Sequence, residues 1–401
     1  MNNQNKTASD KEFIVLMALL MSVVAISIDA MLPALGVIGK ALEVSHPNQA
    51  QYIISSVFIG LAIGQLISGP LSDAVGRKKA LFLALSLYLL GSVICFLSGN
   101  IELMLFGRFV QGLGASGPYV ACMSIVRDKY SGRHMARVMS LVMMIFITVP
   151  IIAPALGQGI LLLASWRYIF ALYILYSSLV MVWVAFRLEE TLPEENRIAF
   201  NLSNITSGIK TVFSNRQTVC YTICMGLIFG ALIGDLNSAQ QIFQGQFGVG
   251  KMFVVYFGLQ ALAFGVSSLV NSQLVEKFGM RYLSVRAIAI MTILSALFLL
   301  AHYFVDIQFW MFFLYGMALL FCFGILFGNL NALALEPMGD IAGLASAIIG
   351  SSSSVIAIIS GTIIGQMYDG TLIPIVSGFL ILGMLSWGVM FFFDKEAKQS
   401  S

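Results

Sequence analysis

Twelve long apolar segments divide this chain of 401 residues and constrain its fold more than any other feature. A helix needs about 20 mostly apolar residues to cross the hydrocarbon core of a bilayer. Segments of about that length lie at residues 13–39, 50–71, 80–98, 101–122, 137–163, 167–187, 217–241, 252–273, 283–303, 308–332, 342–367 and 372–393. Because lipid offers the backbone no hydrogen-bonding partner, each segment is predicted to be a helix. We therefore expect an all-α membrane protein with twelve transmembrane helices.

The composition excludes a soluble protein. Only 10% of the residues are charged and 59% are hydrophobic, whereas a soluble domain is about a quarter charged. Soluble enzymes and nucleic-acid-binding proteins are excluded, and the net charge of +3 is too small to indicate a polyanionic partner. The five Cys and three His suggest no metal site, and no phosphate-binding GxxxxGK[ST] loop occurs. We predict no cofactor, no metal and no enzymatic activity.

The placement of basic residues predicts the orientation in the membrane. With both termini in the cytoplasm, 18 of the 22 Lys and Arg residues lie on the cytoplasmic side and three lie outside. The remaining one, Arg108, lies within a span. Cytoplasmic loops carry an excess of Lys and Arg, so this bias favours both twelve spans and cytoplasmic termini.

The chain divides near its middle at a polar stretch, with six spans on each side. We predict an N-terminal bundle over 1–193, a cytoplasmic linker over 194–213 and a C-terminal bundle over 214–401. A short pattern, Leu71-x-Asp73-x-x-Gly76, recurs 203 residues later as Leu274-x-Glu276-x-x-Gly279. Two parallel six-helix halves are typical of secondary transporters that rock about a central site.

Three charged residues, Asp29, Arg108 and Asp235, lie well inside the predicted spans. Ionised groups are costly there and often mark functional sites. Arg108 cannot release its proton, so a protonation switch must involve an acid. Our hypothesis is that Asp29 alternates between protonated and ionised states and that Arg108 stabilises the ionised one; a permanent structural pair is the alternative. Asp235 is either a second proton or cation site or a water-exposed acid near the outer mouth.

Several motifs resemble those of one transporter family. Residues 69–78 read Gly-Pro-Leu-Ser-Asp-Ala-Val-Gly-Arg-Lys, which resembles the 2–3 loop signature of the major facilitator superfamily, G-x-L-x-D-x-x-G-R-K. Residues 108–116 are similar to the motif R-F-x-Q-G-x-G of its proton-driven drug exporters. The stretches 28–35, 150–157 and 342–347 resemble elements of the Bcr/CflA drug-resistance exporters.

The resemblance implies the major facilitator fold and a function. We expect a proton-coupled antiporter that exports small amphipathic compounds or drugs across a bacterial inner membrane, in the manner of multidrug efflux and antibiotic resistance. A transporter of a metabolite such as a siderophore, sugar or amino acid remains an alternative, as does a membrane sensor. Expected partners are a small-molecule substrate, protons and the lipid bilayer, without nucleic acid, and we expect a monomer.

The resemblance also implies a gate at the 2–3 loop, where Asp73 and Arg77 would clasp the other bundle and Gly76 would permit a tight turn. In span 5, prolines and small residues predict a kinked and closely packed interface between the bundles. The predicted gating residues are Gly69, Asp73, Gly76, Arg77, Pro150, Pro154 and Gly157.

Candidate substrate-binding residues are polar, aromatic or Met side chains within the spans. Aromatic and Met side chains adapt to varied apolar ligands. The predicted residues are Tyr52, Gln111, Tyr119, Met143, Phe146, Asn237, Gln260 and Asn329.

Overall fold

The computed structural model describes residues 10–198 and 202–397, and within them every regular element is helical. The helices are α1 (Asp10–Asp29), α2 (Leu35–Ala41), α3 (Tyr52–Val75), α4 (Arg77–Leu97), α5 (Ile101–Lys129), α6 (Gly132–Leu163), α7 (Arg167–Arg187), α8 (Leu202–Ser214), α9 (Arg216–Gln240), α10 (Phe253–Phe278), α11 (Met280–His302), α12 (Phe309–Leu335), α13 (Ala342–Gln366) and α14 (Ile373–Ala397). A π-helical turn, Gln241–Gln246, extends α9. The chain therefore folds as an all-α protein, as predicted.

The prediction of twelve spans is confirmed, because twelve helical segments are long and apolar enough to cross a membrane. The first consists of α1 and α2, and the seventh is α9 with its π-helical turn. Helices α3–α7 and α10–α14 form the others.

Helix α8 is an addition that the sequence analysis did not predict. It lies in the segment assigned to the linker, which also includes residues 199–201, outside the described residues. One side of α8 is buried at Val212, while Phe213 is exposed. A Cβ at Gly208 would meet the side chains of Leu344 and Ile348 on α13. The linker is thus packed, in part, as an amphipathic helix.

The first span is not one continuous helix, contrary to our expectation for residues 13–39. Helix α1 ends at Asp29, and a 3-10 turn containing Pro33 precedes α2. Pro33 has no N–H to donate to the carbonyl four residues earlier, that of Asp29. The Met31 N–H bonds the Ile28 carbonyl at 3.3 Å and not that of Ser27, its partner in a regular α-helix. The break therefore releases the Ser27 carbonyl.

Contacts divide the chain into two compact units. Unit 1 comprises the described residues of Met1–Glu43 and Ser56–Leu202, and unit 2 those of Val44–Ser55 and Ser203–Ser401. In unit 1 the first span packs on the fourth, fifth and sixth, and the third packs on the fourth and sixth. In unit 2 the seventh packs on the tenth, eleventh and twelfth, and the ninth on the tenth and twelfth. The same pairs thus recur six spans later, consistent with an internal repeat.

The turns at the repeated motif also correspond. Gly76, between α3 and α4, has φ +98°, and Gly279, between α10 and α11, has φ +80°. These values lie in the region that favours glycine. The tight turn predicted at Gly76 is therefore observed, and its counterpart has the same handedness.

Helix α6 lies close against the break in the first span. A Cβ at Gly157 would fall 2.8 Å from the Ala30 carbonyl carbon, and this contact is internal to unit 1. Pro150 and Pro154 lie inside α6, which continues through both. The absence of a side chain at Gly157 therefore lets the two backbones touch beside Asp29.

We predict that Gly157→Leu lowers the thermal stability of the purified protein, because the added side chain must push α6 away from Ala30, at a cost of about 1–3 kcal/mol. Gly159→Leu is the matched control on the same helix, since nothing lies within 4 Å of a Cβ at that position. Thermal unfolding in detergent measures both. Equal melting temperatures for the two variants would contradict the close contact.

Candidate functional site

Arg108 is the centre of a buried polar cluster in unit 1. It lies on α5 with 0% of its surface exposed. Its Nη2 donates to the Ser27 carbonyl at 2.9 Å, and its Nη1 donates to Gln111 Oε1 at 2.5 Å. The guanidinium carbon lies 5.9 Å from the centroid of the Phe170 ring. The C-terminal end of a helix favours a cation, so Arg108 satisfies the carbonyl that the break in the first span releases.

Other hydroxyl and amide groups complete this cluster. The Tyr173 hydroxyl also donates to the Ser27 carbonyl, at 3.2 Å, and the Ser27 Oγ lies 2.7 Å from the Tyr88 hydroxyl. Gln111 Nε2 donates to Ser92 Oγ at 2.8 Å. We define the Arg108 cluster as Ser27, Tyr88, Ser92, Arg108, Gln111 and Tyr173, all of which are buried.

Four members of the Arg108 cluster were missed by the sequence analysis, namely Ser27, Tyr88, Ser92 and Tyr173. The spacing of Tyr88 and Ser92 was an available signal, because residues four apart share one face of a helix. Gln111 was predicted as a substrate-binding residue, and the structure places it on Arg108.

Asp29 lies at the end of α1 and is 6% exposed. Arg108 contacts the main chain two residues earlier, at the Ser27 carbonyl. The structure thus brings Arg108 to the last turn of α1, which also carries Asp29.

A network of charged groups surrounds Arg77 at the 2–3 loop. Its side chain, 4% exposed, pairs with Asp73 and donates from Nε to Asp128 Oδ2 at 2.9 Å. Its main-chain N–H and that of Lys78 donate to the two carboxylate oxygens of Glu190, at 2.9 and 3.1 Å. An anion is stabilised at the start of a helix, so Glu190 anchors the beginning of α4. Asp128 and Glu190 were not predicted.

Unit 2 holds the third charged residue of the spans. Asp235, on α9, is half-buried, and Asn237, two residues later, is buried. The Asn237 amide donates to the Gly361 carbonyl on α13 at 3.5 Å. Gln260, on α10, is also buried, and a Cβ at Gly316 on α12 would collide with its amide. These residues lie at helix contacts within unit 2.

Asn329 is paired with an amide that the sequence analysis missed. Its Nδ2 donates to Asn271 Oδ1 at 2.8 Å, and Asn271 Nδ2 donates back to Asn329 Oδ1 at 3.1 Å. The two asparagines therefore join α10 to α12. In this structure the Asn329 amide serves a helix contact.

Tyr52 lines an open polar cleft of about 580 Å³ in unit 2. Four amide side chains hydrogen-bond beside it, and we call them the amide network: Asn48, Gln51, Gln241 and Gln366. Gln51 Nε2 donates to Gln241 Oε1 at 2.5 Å, and Gln241 Nε2 donates to Asn48 Oδ1 at 2.9 Å. Asp369 also lines the cleft, and hydrogen bonds from Thr371 lower the pKa of its carboxyl, which favours the ionised form.

The remaining predicted residues lie in apolar surroundings. Tyr119, Met143 and Phe146 are partly buried against the hydrophobic core of unit 1. Nothing lies within 4 Å of a Cβ at Gly69. Within the described ranges, no group of three or more His, Cys, Asp or Glu residues could hold a metal ion.

Comparisons with known proteins agree with this architecture. The sequence model of the Major Facilitator Superfamily matches residues 16–362. An uncharacterized MFS-type transporter of Bacillus subtilis (strain 168), YdgK, is 31% identical over 386 residues, 92% of each chain. A bicyclomycin resistance protein homolog of Haemophilus influenzae is 28% identical over 380 residues, 94% of each chain.

A solved structure shows the same fold. The crystal structure of a D-xylose-proton symporter superposes with a TM-score of 0.75 over 95% of each chain, at 15% sequence identity. These related proteins are membrane transporters and not enzymes. With twelve spans and a family match over most of its length, the chain belongs to the major facilitator superfamily of membrane transporters.

Proposed function

We propose that the protein is a proton-coupled antiporter that exports small amphipathic compounds or drugs across the inner membrane by alternating access, with both termini in the cytoplasm. The observation that carries this proposal is the buried guanidinium of Arg108, which binds the last turn of α1, the turn that also carries Asp29. The similarity to a bicyclomycin resistance protein homolog favours a drug as the substrate.

The coupling step follows from a choice between two partners for Arg108. A hydrogen bond to an ionised acceptor is roughly twice as strong as one between neutral groups. When Asp29 is ionised, the guanidinium is drawn toward its carboxylate; when Asp29 is protonated, the Ser27 carbonyl is the better partner. Because Ser27 and Asp29 are two residues apart in the last turn of α1, they point to different faces of the helix. This exchange would therefore move α1 where α6 packs against it.

Substrate would compete with the proton for the ionised state of Asp29. One proton moving across about 100 mV supplies roughly 2.3 kcal/mol, and this supports a concentration ratio of about fifty. Asp235 is proposed as a second proton or cation site, since it lies near the position that matches Asp29 in the repeat. Candidate substrate contacts are Tyr52, Gln111, Tyr119, Met143, Phe146, Asn237, Gln260 and Asn329.

The 2–3 loop is proposed as a gate. In this structure Arg77 is held by Asp73 and Asp128 of its own unit, and Gly76 forms the tight turn that presents it. Gating would require these contacts to loosen and reform during each cycle. The other proposed gating residues are Gly69, Pro150, Pro154 and Gly157.

We predict that Asp29→Asn abolishes uphill transport, because an amide cannot release a proton. The measurement is uptake of bicyclomycin and of an amphipathic dye into proteoliposomes with an imposed pH gradient. Downhill exchange of the same compounds should persist in the variant, without dependence on pH. Uphill transport with an unchanged pH dependence in Asp29→Asn would refute the coupling role, provided that the variant elutes as a monodisperse protein.

Arg108→Lys should also abolish coupled transport, because a single ammonium on a flexible stem replaces the planar fork that contacts Ser27 and Gln111. The matched control is Arg167→Lys. Arg167 also donates from a guanidinium to a main-chain carbonyl, that of Ser98 at 2.9 Å, but lies outside the Arg108 cluster. Similar transport rates in the two variants would argue against a special role for Arg108.

Removing either acid that holds Arg77 should slow transport. A hydrogen bond to a charged group contributes about 1.5–3 kcal/mol, so we expect Asp73→Asn and Asp128→Asn to reduce the rate roughly tenfold. Glu194→Gln is the control, since Glu194 pairs with Arg197 while remaining 84% exposed, and exposed pairs contribute about 0–1 kcal/mol. Wild-type rates in both aspartate variants would count against the gate.

A further inference from the structure

We propose that a cleft beside α11 binds an anionic phospholipid. The cleft has a volume of about 690 Å³ and opens at the turn between α10 and α11. Leu333 of α12 and Trp387 of α14 contribute to its walls. This site lies wholly in unit 2 and does not depend on the proposed transport mechanism.

The rim of the cleft is positively charged. Residues 276–286 contain three cations, Lys277, Arg281 and Arg286, and one acid, Glu276. Arg281 and Arg286 line the cleft, and both are exposed. The Arg286 guanidinium lies 5.2 Å from the centroid of the Tyr282 ring, so a cation–π contact holds it at the rim. A guanidinium matches the geometry of a phosphate with two parallel hydrogen bonds.

The cleft becomes apolar away from the turn. Tyr282, Arg286 and Ala289 follow one another at four- and three-residue spacings, which places them on one face of α11. At a rise of about 1.5 Å per residue, Ala289 lies roughly 13 Å along the helix from Met280. Leu333 faces the same space. A charged end followed by an apolar wall matches a phosphate joined to acyl chains, whereas a free anion would need the rim alone.

Trp387 indicates the level of this site in the membrane. Its indole is 48% exposed and lines the cleft. Tryptophan is enriched at the level of the lipid headgroups, so the charged rim and the indole lie where a phospholipid presents its phosphate and glycerol.

The charge of the rim favours an anionic lipid over a zwitterionic one. The cationic group of a phosphatidylcholine headgroup would be repelled by the arginines, whereas phosphatidylglycerol carries no such group. Each cation near an anionic membrane surface contributes about 1 kcal/mol. Among the described residues, no carboxylate pairs with Arg286. In unit 1, by contrast, Arg77 at the corresponding turn is held by two aspartates.

Trp387 also supplies a direct test. The chain has four tryptophans, so Trp166→Phe, Trp183→Phe and Trp310→Phe together leave Trp387 as the single indole. This full-length variant is reconstituted in phosphatidylcholine with increasing fractions of phosphatidylglycerol whose acyl chains are brominated, and quenching of Trp387 is recorded. The comparison replaces brominated phosphatidylglycerol with brominated phosphatidylcholine.

We expect half-maximal quenching of Trp387 at a lower mole fraction of brominated phosphatidylglycerol than of brominated phosphatidylcholine. The two fractions should differ by about fivefold for each cation that contributes. Adding Arg281→Gln and Arg286→Gln should make the two curves coincide. Lys277→Gln should keep most of the difference, because Lys277 does not line the cleft and lies over the Phe278 ring at 5.3 Å. Coincident curves in the starting chain, or an unchanged difference after loss of both arginines, would overturn the proposal.

Two further measurements test whether the site binds a soluble anion instead of a lipid, and replace the quenching experiment if the tryptophan variants do not fold. If millimolar inorganic phosphate abolishes the difference, the site binds a soluble anion and the lipid proposal fails. If the tryptophan replacements prevent folding, the melting temperature of the otherwise unmodified chain is compared in nanodiscs of phosphatidylcholine with and without phosphatidylglycerol. The anionic lipid should raise it, and Arg286→Gln should lose that rise; an equal rise in Arg286→Gln would overturn the proposal.

Discussion

The Ser27 carbonyl, released where the first span breaks, is the group on which the polar core of unit 1 depends. A buried carbonyl without a donor costs about 1–3 kcal/mol, and a buried guanidinium without acceptors costs more. The hydrogen bond of 2.9 Å from Arg108 Nη2 to the Ser27 carbonyl supplies each group with a partner. Tyr173 then extends the same network to α7, and Gln111 extends it through Ser92 to α4. The helix break and Arg108 therefore depend on each other. Without the break the Ser27 carbonyl is not free to accept from Arg108, and without Arg108 that carbonyl loses this hydrogen bond.

The spans could be predicted because bilayer thickness and loop charge leave strong signals, but the break could not. Pro33 was visible, yet proline alone does not end a membrane helix: α3 continues through Pro70, α5 through Pro118, and α6 through Pro150 and Pro154. What distinguishes the first span is a set of donors from other helices that receives the released carbonyl. That set exists only after packing, so the sequence alone did not reveal it.

The candidate site was predicted unevenly for a related reason. Asp29, Arg108 and Asp235 stood out because charges are rare in lipid-spanning segments. Serine hydroxyls did not, since they often bond their own helix, as Ser92 does with the Tyr88 carbonyl at 2.8 Å. Whether such a group also reaches another helix depends on packing. The Asn271–Asn329 pair was half predicted because only one asparagine was considered.

The amide network has a consequence for the surroundings in which the protein works. Asn48, Gln51, Gln241 and Gln366 carry no net charge and do not titrate, so their mutual hydrogen bonds are little affected by acidity or by counter-ions. These contacts therefore hold segment Val44–Ser55 to the rest of unit 2 over a wide range of pH and salt concentration. A change of pH that alters the charge of carboxylates or histidines therefore leaves this set of contacts in place.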